Sequence, residues 1–215
     1  MNKFSEIYEM TSSWDKDSSD LSSDDNQIKK SEKYHSVILE NNVNSIGHFL
    51  TVSVAESVTA GALSNTICSE PGSSKFFLGG IVAYNMDTQE KLLNVDAEYA
   101  EKNNFANPFT TYTMAKNVAN LFNSRIGLST TGFSLPLYRD EDLSTGKCKI
   151  DVTTPYAYIC LYDTKTGSHK IYKIVNNDYI KDGNQKIQRA QMQSKIALKC
   201  KKIFEEYCIN INKIM

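Results

Sequence analysis

A short apolar run that ends on two polar residues and leads into a helical pattern most constrains how this chain can fold. Residues 51–61 read TVSVAESVTAG, which predicts a strand over residues 50–55 and a helix that begins near Thr59. Ser57 then lies at the strand-to-helix turn, beside backbone N–H groups that have no partner within the helix. That position suits an anion or a nucleophile. The alternative is that Ser57 is only the N-cap of the helix, with Thr59 sharing this role.

Strand and helix patterns alternate along the rest of the chain. This alternation predicts a single three-layer α/β/α domain over residues 31–215. Residues 135–155 carry many charged and turn residues and are expected to form a long loop. A buried strand is predicted within residues 76–84, and further strands are predicted over Ile126–Phe133, Tyr156–Asp163 and His169–Val175. Helices are predicted over residues 34–46, 87–93, 96–102, 107–122 and 185–207.

The first 30 residues differ in composition from the rest of the chain. Residues 11–30 are dense in serine and aspartate and cannot bury enough apolar surface to offset the loss of chain entropy on folding. We therefore expect residues 1–30 to be a disordered tail.

Composition excludes several classes of function. The formal net charge of −1 gives no expectation of nucleic-acid binding, and no apolar run is long enough to span a membrane. The N-terminus lacks the apolar segment of a secretion signal, so a cytoplasmic protein is expected. The three histidines have no cysteine, aspartate or glutamate at ligand spacing, so a metal site is not expected. No other cofactor is expected either.

Several short motifs follow one another in a specific order: AES at residues 55–57, PGSSKFF at 71–77, GGIVAYN at 79–85, LLNV at 92–95 and TTGF at 130–133. In this order and spacing they resemble the C-terminal domain of the CinA family, which contains the nicotinamide-nucleotide amidases. The resemblance runs from about residue 51 to residue 207. It implies a serine amidase that converts nicotinamide mononucleotide to nicotinic acid mononucleotide and ammonia, without a cofactor.

The resemblance also implies the catalytic residues. Ser57 matches the family's nucleophile, and Tyr84 matches the tyrosine that ends its GG-x-V-x-Y strand, although a tyrosine there is also common as an ordinary core residue. The family's lysine, five residues after that tyrosine, is replaced by Gln89, whose amide is not basic. Lys91 is the nearest lysine, but in a helix a step of two residues turns its side chain to nearly the opposite face. Lys91 can replace the base only if this segment is irregular.

Substrate-binding residues are expected at the ends of other strands. Thr131 and Gly132 end a strand, where ligands of open α/β folds bind, and Thr59 is a further candidate. The Gly-Pro-Gly-Gly run that the typical family carries after this point is replaced by Phe-Ser-Leu-Pro at residues 133–136, which weakens a backbone cradle for an anion. Lys186 or Arg189 could supply a positive charge for a phosphate, or both could belong to a solvated helix face.

Two hypotheses about function follow. The first is an amidohydrolase that acts on nicotinamide mononucleotide or a relative. The second is a catalytically impaired nucleotide-binding or scaffold homologue that keeps the pocket. Under both hypotheses a small-molecule nucleotide is the expected partner, and the protein could also form a homo-oligomer. Both hypotheses require Ser57, Tyr84 and Gln89 to line one pocket at the carboxyl ends of neighbouring strands.

Overall fold

A six-stranded mixed sheet is the centre of the fold in the computed structural model, which describes residues 7–11, 50–139 and 150–214. Its order is β1-β8-β7-β4-β2-β3, and β5 and β6 form a separate two-stranded antiparallel sheet. The strands are β1 (Ile7–Thr11), β2 (Val52–Glu56), β3 (Phe77–Val82), β4 (Ile126–Phe133), β5 (Leu137–Arg139), β6 (Ile150–Val152), β7 (Tyr156–Asp163) and β8 (His169–Val175).

Within the described residues, five α-helices connect and cover these strands, together with a short 3₁₀ turn at Ser73–Lys75. Asparagine or aspartate begins three of them, because its side chain accepts a hydrogen bond from the first helical turn. The helices are α1 (Ala62–Cys68), α2 (Met86–Leu93), α3 (Ala97–Lys102), α4 (Pro108–Phe122) and α5 (Gln185–Ile214).

Side chains of the central strands alternate between two layers of helices. Val54 of β2 faces a core that α1 and α5 complete, with Ile196 among its members. The next residue, Ala55, faces a second core with Met114 and Val118 of α4. This alternation confirms the predicted three-layer α/β/α arrangement.

The direction of the strands determines where a site can form. Strand β2 is parallel to both of its neighbours, β3 and β4, whereas β7 is antiparallel to both β4 and β8. The carboxyl ends of β2, β3 and β4 therefore meet at one edge of the sheet, and the residues that follow them are brought together.

The bounds of β4, β7 and β8 agree with the sequence prediction. Two other predictions were wrong. Strand β3 lies at the edge of the sheet and is only half-buried, because no further strand pairs with it in the described structure. Residues 135–155 are not simply a loop, because β5 and β6 lie within this range and pair with each other. Apolar Leu137 belongs to β5 and apolar Ile150 to β6.

The predicted tail also contains regular structure. Residues 7–11 form β1, which pairs in parallel with β8, so disorder over the whole of residues 1–30 is wrong for this segment. Its sequence, IYEMT, is rich in the β-branched and aromatic residues that favour strands. The rest of the tail and the helix predicted over residues 34–46 lie outside the described residues.

The buried carboxylate of Asp163 connects three elements at the amino end of β4. Its oxygens accept hydrogen bonds from Arg125 Nη2 at 3.0 Å, from the Tyr207 hydroxyl of α5 at 2.7 Å and from the backbone N–H of Lys165 at 2.7 Å. Burial by itself raises the pKa of Asp163, but these hydrogen bonds outweigh it and hold the pKa below its ordinary value of 3.8.

We expect Asp163→Asn to lower the free energy of unfolding by about 3 kcal/mol near neutral pH, because it leaves Arg125 without its anionic partner. The carboxylate's contribution is present above the unfolded pKa and is lost as the pH falls through the lower folded pKa, so the variant and the natural protein should converge in acid. Urea unfolding at several pH values measures this. Asp151→Asn, at an exposed position, is the control; a difference that stays constant with pH would contradict the prediction.

Candidate functional site

The turn after β2 is organised by Glu56, which is fully buried. Its carboxylate accepts hydrogen bonds from the backbone N–H groups of Gly61, Leu63 and Ser64, at 2.9, 2.9 and 2.8 Å. The N–H of Ala62 is bonded to a backbone carbonyl in the turn. The first-turn N–H groups of α1 are thus satisfied inside the protein, and the charge of Glu56 complements the positive end of the helix.

This arrangement corrects the expectation for Ser57. The helix begins at Ala62 rather than near Thr59, its N-cap is Gly61, and no side-chain hydroxyl caps it. Ser57 is therefore not an N-cap, and no free N–H groups of α1 remain for an anion beside it. The Ser57 N–H donates to Thr130 O at 3.0 Å, and its half-buried side chain lines a pocket at the edge of the sheet.

The threonines at this edge differ in position. Thr59 is buried and shares a hydrogen bond of 2.6 Å with the Thr130 hydroxyl, so it belongs to the core and does not line the pocket. Thr131 lines the pocket, but its hydroxyl is bonded to that of Thr111 at 2.7 Å. Gly132 also lines it with a φ of 153°, and an added Cβ there would lie 2.4 Å from the carbonyl oxygen of Tyr156. Only glycine fits at this position.

Tyr84 lies two residues beyond β3 and lines the same pocket, and the residue is 57% exposed. The Arg189 guanidinium, on the second turn of α5, donates a hydrogen bond to the Tyr84 hydroxyl. Arg189 lines the pocket, whereas Lys186 of the same helix is exposed and lies outside it. Of the two cations considered from the sequence, the fold brings Arg189 to the site.

Gln89 lies on α2 and is 5% exposed. Its Nε2 donates to the carbonyl oxygen of Ala83 at 3.0 Å, and its Oε1 has no hydrogen-bond partner in the described structure. Lys91, two residues on, is exposed and does not line the pocket. The segment is a regular helix, so the irregularity that Lys91 would need to replace the base is absent from Met86–Leu93.

The pocket itself has a volume of about 620 Å³. Sequence reasoning missed the apolar part of its lining, to which Phe105, Leu137 and Ile150 contribute, and it missed Ser134, whose buried hydroxyl has no partner in the described structure. Among the described residues that line the pocket there is no histidine, lysine, aspartate or glutamate. The polar side chains are Ser57, Tyr84, Gln89, Thr131, Ser134 and Arg189, accompanied by Asn85, the N-cap of α2.

This geometry defines a class: an α/β/α domain with a pocket, containing a serine and a tyrosine, at the carboxyl ends of parallel strands. The family model of the CinA C-terminal domain matches residues 38–175, and the chain belongs to this family.

Two relatives in sequence are named as CinA-like or competence-damage inducible proteins. The CinA-like protein of Dictyoglomus thermophilum is 41% identical over 87 residues, which is 40% of this chain and 21% of that protein. A competence-damage inducible protein of Listeria innocua is 36% identical over 110 residues, which is 51% of this chain and 25% of that protein. The chain thus spans only a fifth to a quarter of these relatives.

Solved structures share the fold. The competence damage-inducible protein A of Klebsiella pneumoniae superimposes with a TM-score of 0.61 over 82% of this chain and 95% of that one, at 14% identity. A competence or damage-inducible protein of Enterobacter asburiae gives 0.55 over 79% and 95%, at 17% identity.

The described residues contain neither a metal-binding cluster nor a membrane-spanning helix. No group of three or more histidine, cysteine, aspartate and glutamate side chains there is arranged to hold a metal ion. No helix in the described part of the chain is long and apolar enough to cross a membrane.

We expect Glu56→Gln to destabilise the protein by about 2–4 kcal/mol, because an amide cannot accept all the hydrogen bonds that the carboxylate accepts from the start of α1. Urea unfolding checks the loss. Glu98→Gln, in an exposed pair with Lys102, is the matched control and should change stability by less than about 1 kcal/mol. Equally small effects of both substitutions would show that the Glu56 carboxylate is not required to stabilise the start of α1.

Proposed function

We propose that the pocket binds nicotinamide mononucleotide or a closely related nucleotide, and that the protein is a catalytically impaired homologue of the nicotinamide-nucleotide amidases. Membership of the CinA C-terminal domain family supports the choice of ligand. The impaired activity is inferred from the residues that line the pocket. Among the described residues these include Ser57 but no lysine, histidine or carboxylate.

The chemistry explains why this matters. In a serine amidase the hydroxyl oxygen adds to the carboxamide carbon while its proton passes to a base, and ammonia then leaves with a proton. Water subsequently hydrolyses the ester and releases the acid. A positioned base contributes about 10²–10⁴-fold to such a step. The Gln89 amide has no basic nitrogen, and its Nε2 already donates to Ala83 O, so it cannot accept the proton from Ser57.

A second candidate, an active serine amidase, is favoured by one observation. Tyr84 and Ser57 line the same pocket, and the Tyr84 hydroxyl accepts its hydrogen bond from Arg189. Arg189 has no acceptor atom, so it leaves the phenol proton free to be donated elsewhere. In this candidate Tyr84 relays a proton in place of the lysine: its oxygen takes the proton of the Ser57 hydroxyl while its own proton passes to the departing ammonia.

Arg189 is the group we propose for the ligand phosphate. The N-terminus of α1 offers nothing to an anion, since Glu56 occupies it. Arg189 is half-buried at the pocket, carries a permanent charge and presents a planar set of donors that suits phosphate.

We expect slow or undetectable ammonia release from nicotinamide mononucleotide by the natural protein, and a gain of at least about ten-fold in kcat in Gln89→Lys, because the substitution restores a base. Ser57→Ala in the Gln89→Lys background should abolish the gain, and Lys91→Ala in the natural protein should change little. A correctly folded Gln89→Lys variant with no gain would contradict the assignment of the missing base.

Robust activity in the natural protein that is lost in Tyr84→Phe would favour the second candidate instead. Activity that survives Ser57→Ala would exclude a serine mechanism altogether. The same ammonia assay measures both outcomes, with circular dichroism to verify that each variant is folded.

We expect Arg189→Gln to weaken the binding of nicotinamide mononucleotide by about ten-fold, because a charge-assisted hydrogen bond to phosphate is lost. Binding of nicotinamide riboside, which lacks the phosphate, should stay within about two-fold. Lys186→Gln, on the same helix but outside the pocket, is the matched control and should leave both affinities unchanged. Isothermal titration calorimetry measures these constants, and an equal loss for both ligands would contradict a phosphate contact.

A further inference from the structure

Two buried side-chain atoms lack hydrogen-bond partners in the described structure, and both belong to residues that line the pocket. They are Oε1 of Gln89 and Oγ of Ser134, on side chains of residues only 5% and 3% exposed. Buried polar groups are nearly always hydrogen-bonded, so two unpaired atoms at one pocket point to a ligand that supplies the missing partners.

The orientation of the Gln89 amide determines what it can bind. Its Nε2 is held by the carbonyl oxygen of Ala83, which leaves Oε1 as the unpaired atom. A carbonyl oxygen only accepts, so the ligand group that completes it must carry an N–H or O–H donor. The terminal torsion of a glutamine side chain is broad, so a bound ligand can adjust the orientation of the amide without a change in the helix backbone.

Ser134 supplies the complementary chemistry. It follows β4, and its hydroxyl can either donate or accept a hydrogen bond. A group that satisfies both residues therefore carries a donor for Gln89 and either an acceptor or a second donor for Ser134. A primary carboxamide has this combination, whereas a carboxylate has only acceptors and would face Oε1 with an unpaired negative charge.

We propose that Gln89 and Ser134 form a carboxamide-selective subsite, in which Gln89 Oε1 accepts a hydrogen bond from the ligand NH₂ and the Ser134 hydroxyl donates to the ligand carbonyl. The proposal rests on the proposed binding of a pyridine nucleotide. The inference goes beyond that function because it makes the pocket selective for the amide over the corresponding acid. The protein then binds nicotinamide mononucleotide more tightly than nicotinic acid mononucleotide.

The selectivity can be tested on the natural protein with three nucleotides that differ only at the pyridine substituent. These are nicotinamide mononucleotide, its 3-acetylpyridine analogue, in which a methyl group replaces NH₂, and nicotinic acid mononucleotide. We expect the amide to bind about ten-fold more tightly than the acetyl analogue, which has the same charge but no donor for Gln89. The acid should bind more weakly than the amide although Arg189 favours added negative charge. Isothermal titration calorimetry measures all three affinities.

Variants assign the effect to the two side chains. In Gln89→Met the advantage of the amide over the acetyl analogue should fall to within about two-fold, because the acceptor is gone. Ser134→Ala should weaken the amide and the acetyl analogue equally, since both keep the carbonyl. Lys91→Met makes the same kind of change on the exposed face of α2 and should keep the ten-fold difference.

The outcomes separate this inference from the proposed function. Equal binding of the amide and the acetyl analogue by the natural protein would overturn the carboxamide subsite and leave nucleotide binding intact. No binding of any of the three nucleotides would overturn both. If Gln89→Met fails to fold, the ligand series on the natural protein together with Ser134→Ala still decides the question.

Discussion

The buried carboxylate of Glu56 is the interaction on which the geometry of the site depends. It sits at the end of β2 and holds the first turn of α1 through three backbone hydrogen bonds. Residues 57–61 are thereby fixed as a turn outside the helix, with Gly61 in a left-handed conformation at φ 100°. Ser57 is consequently directed to the pocket at the strand ends instead of being used as a cap.

The same interaction determines what the pocket can do. Because the positive end of α1 already has an internal anion, a ligand anion has to find its counter-charge elsewhere, and Arg189 is the cation that lines the described pocket. At the position where the family has its lysine, this chain has Gln89, whose amide can accept a hydrogen bond but is not basic. We therefore propose that the pocket recognises a carboxamide rather than hydrolysing one.

The elements that carry a strong local pattern could be predicted from the sequence. Strand β4, for example, was bounded correctly because its apolar residues and the glycine near its end are local signals. The order of the family motifs likewise aligned Tyr84 and Gln89 with the site. The roles of Glu56 and Ser134 could not be foreseen, because they depend on which groups the folded chain brings into contact. Lys186 and Arg189 looked equivalent for the same reason, since only the packing of α5 distinguishes them.

A crystal structure of the protein with nicotinamide mononucleotide is the measurement that tests the central claim most directly. We predict the nucleotide in the pocket, with its carboxamide nitrogen within hydrogen-bond distance of Gln89 Oε1, its carbonyl carbon facing Ser57 Oγ and its phosphate beside Arg189. A nucleotide bound at another place, or one whose carboxamide points away from Gln89 while the Oε1 atom stays unpaired, would contradict this account of the site.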